Sequence, residues 1–199
     1  MVTNSKTVGV LALQGDVREH AKMLLDLGVA VTLVKKATDL SSLDGLVIPG
    51  GESTTISMLI NRANLMQPLR DFIKTEKAVY GSCAGMILLS DQLLDGRTDQ
   101  ETIGGIDITV RRNAFGRQVD SFEKEIDLGA IGISKFMAVF IRAPLVEKVG
   151  GQVEIIAALP NTGQDSRIVM VQQGKLLATS FHPELTGDNR IHKYFISLL

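Results

Sequence analysis

Short apolar runs alternate with amphipathic stretches through the first half of the chain. Four brief runs rich in strand-forming residues are typical of strands buried on both faces: residues 8–13, 30–34, 45–48 and 78–80. Between the first two runs, apolar residues recur at helical spacing, with Asp16 as a plausible N-cap and Gly28 as a stop. Helices are also predicted at residues 56–62 and 68–74, so the pattern indicates parallel strand–helix–strand units.

The second half of the chain has a different pattern, with strand candidates and little helical spacing before a closing helix at residues 189–198. The strand candidates are residues 119–126, which alternate like an exposed edge strand, and residues 136–141, 153–157, 167–172 and 175–180. Gln173 and Gly174 favour a tight hairpin between the last two. Because no linker, repeat or low-complexity segment interrupts the chain, residues 1–199 are predicted to form one domain. The predicted fold class is α/β, with a mostly parallel central sheet, flanking helices and an added mixed or antiparallel part.

The loop after the run at residues 78–80 carries a candidate nucleophile. The segment Gly81-Ser-Cys-Ala-Gly85 leads into a helical run at residues 86–89, which places Cys83 at a sharp strand-to-helix turn. Glycines on both sides of a small nucleophile allow the unusual backbone angles and the close approach that such an elbow needs. A lone cysteine is more often a small buried hydrophobe, but the glycine frame favours a nucleophile here.

Two more segments with polar chemistry follow predicted strands. Pro49-Gly50-Gly51 comes after the run at residues 45–48, and Ser53 or Thr54 can cap the helix beyond it. His182-Pro183-Glu184 follows the last predicted strand. Open α/β sheets build their sites at the carboxyl ends of parallel strands, and nucleophilic catalysis requires a thiolate, a base and a group that orients the base. Spacing along the chain does not show whether Cys83 and the histidine meet.

Composition narrows the class of protein without naming a reaction. The 199 residues are 45% hydrophobic and 22% charged with a net charge of -1, so neither disorder nor a polyanionic main partner is indicated. With no Trp and two Tyr, aromatic platforms for nucleic acid are not expected. One cysteine cannot form an internal disulfide, the first residues lack a signal-peptide pattern, and no apolar run approaches the roughly 20 residues that span a bilayer. We therefore expect a cytoplasmic enzyme with no membrane partner.

Taken together, the motifs resemble those of the class I, or triad-type, glutamine amidotransferases. That class has a Gly-x-Cys-x-Gly elbow, a Pro-Gly-Gly oxyanion loop and a late His-Pro-Glu, which match residues 81–85, 49–51 and 182–184. Longer segments are similar to the glutaminase subunits of pyridoxal 5'-phosphate synthase: residues 13–15, 17–20, 49–55, 112–113, 115–123, 140–144 and 180–186. The resemblance covers nearly the whole chain. One departure is Ser82, where that family usually has Thr.

The resemblance implies a flavodoxin-like fold and the hydrolysis of L-glutamine to L-glutamate and ammonia, without cofactor or metal. It implies that Cys83 is the nucleophile, that His182 is the general base and then the general acid, and that Glu184 orients His182. The backbone N–H groups of Gly51 and Ala84 would stabilise the oxyanion. The positions that would hold glutamine are Gly51, Glu52, Ser53, Arg112, Ile141 and Arg142.

Arginines suit the α-carboxylate of glutamine, and Glu52 suits its α-ammonium group. Three arginines between residues 111 and 117 are more often part of a solvated loop. The Phe115-Gly116 pair among them instead indicates a shaped surface that holds a carboxylate.

The resemblance also implies a partner, because ammonia is useful only if it is not lost to water. The partner would be a separate (β/α)₈-barrel synthase subunit that makes pyridoxal 5'-phosphate (vitamin B6) in a hetero-oligomeric complex. Docking would activate a poorly active glutaminase by rearranging the loop at Gly50-Gly51, with Gln14 on the contact side. Three alternatives remain: a glutaminase subunit of another synthase such as imidazole glycerol phosphate synthase, a cysteine peptidase or related hydrolase, and a catalytically silent regulatory module.

Overall fold

The computed structural model describes residues 6–112, 121–160 and 166–199. The helices in these ranges are α1 (Val17–Asp26), α2 (Ser53–Arg62), α3 (Met66–Lys74), α4 (Ala84–Leu89) and α5 (Arg190–Ser197). The strands are β1 (Thr7–Leu11), β2 (Ala30–Val34), β3 (Gly45–Ile48), β4 (Ala78–Ser82), β5 (Ser90–Leu94), β6 (Ile106–Arg111), β7 (Ser121–Leu128), β8 (Ile133–Ile141), β9 (Leu145–Val149), β10 (Glu154–Leu159), β11 (Arg167–Gln173) and β12 (Leu176–Thr179). Short 3-10 turns lie at Ala37–Leu40, Gly129–Ile131 and Pro183–Leu185.

One large sheet runs through the described residues, in the order β2-β1-β3-β4-β12-β11-β9-β6-β5, and β10 also pairs with β11. Neighbouring strands are parallel from β2 to β12. Beyond β12, three pairs are antiparallel: β12 with β11, β11 with β9, and β9 with β6. The predicted parallel centre and the added mixed part are therefore confirmed, as is the hairpin between β11 and β12.

The sheet separates two apolar cores, because successive side chains of a strand point to opposite faces. Val79 and Tyr80 in β4 are both fully buried and belong to different cores. Helices α2, α3 and α4 close the first core, whereas α1, α5 and the β7–β8 pair close the second. No helix among the described residues is long and apolar enough to cross a membrane.

The start of α2 differs from the prediction. The helix begins at Ser53, and Glu52 is its N-cap, with a side chain that accepts hydrogen bonds from the N–H groups of Thr54 and Thr55 at 3.2 and 2.7 Å. The expectation that Ser53 or Thr54 caps this helix is wrong. A carboxylate at the N-cap satisfies two free N–H groups and interacts favourably with the helix dipole.

The second half of the chain also departs from its predicted pattern. Strands β5, β6 and β9 were not predicted, because their sequences mix polar or charged residues with apolar ones and their burial is partial. Strands β7 and β8 pair antiparallel in a separate two-stranded sheet instead of joining the large one. The predicted strand at residues 119–126 overlaps β7, and residues 119 and 120 lie outside the described part.

Candidate active site

The turn after β4 is the predicted elbow. Cys83 has φ and ψ of 47° and -99°, a strained conformation for a residue other than glycine, and α4 begins at the next residue. A Cβ at Gly81 would lie 2.5 Å from the carbonyl carbon of Gly85, and a Cβ at Gly85 would lie 2.2 Å from the carbonyl oxygen of Ile48. Both glycines are therefore required by close packing. The N–H of Ala84, in the first turn of α4, has no partner inside the helix.

Strand pairing brings Cys83 and His182 to one edge of the sheet. Strands β4 and β12 are parallel neighbours with Ser82 opposite Thr179, and the Cys83 N–H donates to the Thr179 carbonyl oxygen at 2.8 Å. His182 follows β12 by three residues, and its N–H donates to the carbonyl oxygen of Val139 in β8 at 2.8 Å. Both side chains line the same pocket. The spacing of Cys83 and His182 in the sequence did not show whether they meet, and the pairing of β4 with β12 brings them together.

Glu184, the third residue of the predicted triad, lies behind His182. The 3-10 turn that follows His182 places Glu184 Oε1 2.7 Å from His182 Nδ1, and the Glu184 side chain is fully buried. Burial alone would raise the pKa of this carboxyl, but His20 and His182 outweigh it and hold the pKa well below its usual value. Glu184 is therefore an ionised acceptor that fixes one ring nitrogen of His182. The other nitrogen, Nε2, remains for the Cys83 sulfur.

Asp16 is a member of the site that the sequence did not assign. It precedes α1 as predicted, but its side chain makes no capping hydrogen bond, and Oδ2 lies 3.3 Å from His182 Nδ1. Burial lowers the pKa of His182, whereas hydrogen bonds with Asp16, Cys83 and Glu184 outweigh burial and raise it. Among the described residues, the ligand atoms of Asp16, His182 and Glu184 form the one group with metal-like spacing, all within 4.8 Å. The short His182–Glu184 hydrogen bond already uses two of these atoms, so the arrangement suits a base held by carboxylates.

The glycine loop after β3 packs on the loop after β1. The Gly50 carbonyl oxygen accepts a hydrogen bond from the Asp16 N–H at 3.0 Å, and the Glu52 N–H donates to Gln14 Oε1, also at 3.0 Å. Gly51 has a φ of 153°, and a Cβ there would lie 2.6 Å from Gln14 Oε1. The backbone of the first loop thus fixes the orientation of the Gly50–Gly51 peptide.

The predicted glutamine-binding charges contact each other at the mouth of the pocket. Arg112 Nη2 donates to Glu52 Oε1 at 2.9 Å, and Arg112 Nη1 donates to Thr54 Oγ1 and Gln100 Oε1, both at 2.8 Å. Gln100 in turn donates to Ser53 Oγ at 3.1 Å. Gln100 lies in a stretch, residues 93–101, that gave no functional signal in the sequence. Its role depends on folding against α2.

The end of β8 forms the opposite wall. The Cys83 thiol donates to the Ile141 carbonyl oxygen at 3.8 Å. The next residue, Arg142, has a φ of 43° and lines the pocket, so a strained backbone presents its side chain there. The predicted carboxylate surface at Phe115-Gly116 lies outside the described residues.

All but one of the predicted site residues line a single pocket of about 310 Å³: Gly51, Glu52, Ser53, Cys83, Ala84, Arg112, Ile141, Arg142 and His182. Glu184 lies behind it. This volume is at the small end for ligand sites and suits a single amino acid. A larger cleft of about 780 Å³ lies at the amino ends of the parallel strands, beside Lys77 and Lys175, and contains none of the motifs.

Comparison with known proteins agrees with this geometry. A model of the SNO glutamine amidotransferase family matches residues 10–199, a range that includes the elbow, the glycine loop and the His-Pro-Glu segment. The chain belongs to the SNO glutamine amidotransferase family. The resemblance inferred from the motifs is thereby confirmed.

Relatives of this SNO family member match it from end to end. A protein of a Nocardioides species named pyridoxal 5'-phosphate synthase subunit PdxT is 54% identical over 198 residues, which cover 100% of this chain and 98% of the relative. A protein of the same name from Kineococcus radiotolerans is 53% identical, with coverage of 100% and 97%.

Solved structures agree as well. A crystal structure of a glutamine amidotransferase superposes with a TM-score of 0.87 at 44% identity, and covers 96% of this chain and 97% of that one. A putative GMP synthase protein from Thermoplasma acidophilum superposes with a TM-score of 0.67 at 16% identity, over 98% of this chain and 94% of that one. The second likeness shows a shared fold only.

Proposed function

We propose that Cys83, His182 and Glu184 carry out the glutaminase reaction of this family member, and that its ammonia serves the synthesis of pyridoxal 5'-phosphate. The observation that carries the proposal is the strained elbow of Cys83, in one pocket with the hydrogen-bonded His182–Glu184 pair. Relatives named as pyridoxal 5'-phosphate synthase subunits match the full chain, which favours this use of ammonia over imidazole glycerol phosphate synthesis. An intact triad-like arrangement argues against a silent regulatory module.

The reaction follows from these positions. His182 Nε2 takes the thiol proton, and the Cys83 sulfur attacks the side-chain amide carbon of glutamine. His182 returns the proton to the leaving nitrogen, so ammonia departs and a thioester remains on Cys83. Water then attacks the thioester, His182 takes its proton, and glutamate leaves as the sulfur regains the proton. Glu184 keeps the ring oriented and stabilises its positive charge throughout.

The remaining pocket residues recognise glutamine and its transition state. We assign the oxyanion to the N–H groups of Gly51 and Ala84, a type of donor whose loss typically costs about 10²–10³ in rate. Glutamine is held by Gly51, Glu52, Ser53, Arg112, Ile141 and Arg142. The Arg112–Glu52 pair supplies one charge of each sign at the mouth, matching the two charges of the amino-acid end. A peptidase would have no need of this pairing.

The partner we propose is a (β/α)₈-barrel synthase subunit in a hetero-oligomeric complex in the cytoplasm, with residues 1–199 of this chain acting as one domain. Docking activates the glutaminase by moving the Gly50–Gly51 peptide. Two contacts support this site of regulation: Asp16 and Gln14, in the loop after β1, both hydrogen-bond to the glycine loop at the carboxyl ends of the parallel strands.

The test measures glutamate formation from glutamine by wild type and Cys83→Ala, each with and without the synthase subunit. Wild-type activity is expected to rise with the partner, and Cys83→Ala is expected to lose at least about a thousandfold. Circular dichroism of Cys83→Ala checks that its fold is kept. Full activity of that variant would refute the mechanism, whereas wild-type activity that ignores the partner would refute only the link to this synthase.

A further inference from the structure

A buried chain of side chains continues inward from Glu184. His20 in α1 and His192 in α5 are both fully buried. His20 Nε2 lies 2.9 Å from Ser82 Oγ and 3.4 Å from Glu184 Oε2, and His20 Nδ1 lies 2.9 Å from His192 Nε2. The reaction proposed above uses neither histidine. Buried polar groups that touch a catalytic carboxylate need an explanation.

The hydrogen-bond network indicates which ring nitrogens of His20 and His192 carry protons. His192 Nδ1 has no hydrogen-bond partner among the described residues. Leaving a lone pair there costs less than burying an unpaired N–H, so the proton of His192 belongs on Nε2 and is donated to His20 Nδ1. The proton of His20 then lies on Nε2, which points at Ser82 and Glu184. Burial lowers the pKa of His192 to about 3, which agrees with a neutral ring.

Glu184 needs the N–H at His20 Nε2 because its two carboxylate oxygens have different surroundings. Oε1 bonds His182, but Oε2 accepts no well-aligned hydrogen bond from the described residues, although it is fully buried. His20 Nε2, at 3.4 Å, places an N–H donor beside this oxygen. Burying a carboxylate oxygen without compensation is costly, and a carboxylate that rotates or gains a proton cannot hold His182.

We propose that His20 is a positioning residue that fixes Glu184, with His192 fixing the tautomer of His20. The proposal rests on the triad assigned above. His20 also contacts the nucleophile turn, because the same Nε2–H lies 2.9 Å from the Oγ of Ser82, which immediately precedes Cys83. Tyr80 packs its ring edge-on against both histidines, with ring centroids 5.9 Å apart in each case, and limits their rotation. His20 therefore connects the Glu184 carboxylate to the turn that carries Cys83.

The first experiment compares glutaminase kcat and KM of His20→Leu and His20→Gln in the presence of the synthase subunit. His20→Leu removes the donor and is expected to lower kcat about tenfold to a hundredfold, with KM changed by less than about threefold. His20→Gln offers an amide N–H near Nε2 and is expected to recover most of that loss. Leu24→Ala, a core substitution on the same helix, is the control for a purely structural effect and should keep kcat within about twofold below its melting temperature.

The second experiment is a double-mutant cycle with Glu184→Ala. If His20 acts through Glu184, His20→Leu should lower kcat by less than about twofold once Glu184 is gone. Equal losses in both backgrounds, full kcat in His20→Leu, or equal losses in the Leu and Gln variants would each overturn the proposal. If His20→Leu does not fold, His192→Leu enters the same cycle, with an expected loss of about threefold to tenfold. An active Cys83→Ala protein would instead refute the triad itself, so the two failures are distinguishable.

Discussion

The pocket joins two regions that are built differently. On one side, the loops after β1, β3, β4 and β12 bring together Cys83, His182, Glu184 and Asp16 through parallel strand register and backbone hydrogen bonds. On the other side, Arg112 follows β6, and Arg142 follows β8, one strand of a two-stranded sheet with many exposed side chains. In the mechanism that we propose, the first region fixes the atoms that react, and the second supplies charges that recognise glutamine. Substitutions in the first should therefore lower kcat, and those in the second should raise KM.

Among substitutions outside the proposed triad, the largest effect is expected from Gly50→Ala in the first region. The added methyl would lie 2.5 Å from His182 Cε1 and 2.9 Å from Asp16 Oδ2, so either the loop or the ring must move. We expect glutamine-dependent kcat to fall at least about a hundredfold, because misplaced catalytic groups cost this much. Gly151→Ala is the matched control, since nothing lies within 4 Å of its added Cβ. Equal kcat values for the two variants would contradict the comparison.

A smaller effect of another kind is expected from Arg112→Gln at the mouth of the pocket. The substitution removes the charge paired with Glu52 and the donors to Thr54 and Gln100. We expect KM for glutamine to rise about tenfold while kcat stays within about threefold, because uniform binding is lost. Arg111→Gln is the control, since the Arg111 side chain pairs with Asp95 and Glu147 instead. A loss confined to kcat would show that Arg112 belongs to the reacting region.

The smallest effect concerns the free energy of unfolding as pH falls. His192 has a folded pKa of about 3, below its ordinary 6.5, so the unfolded chain binds the extra proton and stability falls below pH 6.5. The lowered pKa of Glu184 adds a further loss below pH 4.5. The raised pKa of His182 acts in the opposite sense, and its contribution, already present below pH 6.5, is lost only as pH rises.

We therefore expect urea unfolding to show a loss of about 2 kcal/mol between pH 6.5 and pH 5. His192→Phe should flatten this slope. Hydrogen exchange should place the loss in β4 and α5 rather than in the β7–β8 pair. A free energy of unfolding that is equal at both pH values in the wild type would count against the neutral, buried state of His192.

The sequence was informative where one local pattern decides the structure. The parallel strands followed from short apolar runs, and the elbow at Cys83 followed from its glycines. Strands β5, β6 and β9 were missed because partly exposed strands carry polar or charged residues and leave no continuous apolar run. The capping role expected for Ser53 or Thr54 failed because the Glu52 carboxylate reaches two N–H groups at once.

The roles of Asp16 and His20 were missed for another reason. Asp16 was interpreted only as a helix cap and His20 was assigned nothing, because the partners of both side chains are far away in sequence. His20 lies 62 residues from Ser82 and 172 residues from His192. Only the order of strands in the sheet, which no local pattern contains, brings such residues together.

The place of β12 in the sheet has a consequence for the stage of folding at which the enzyme becomes active. This strand, residues 176–179, lies between β4 and β11, although β4 lies far upstream of it in the sequence. Contacts this distant in sequence form slowly during folding. Until they form, Cys83 lacks the base and the carboxylate that we propose for it, and a partly folded chain holds a thiol without glutaminase activity. Ammonia release is therefore expected only after β12 has paired with β4.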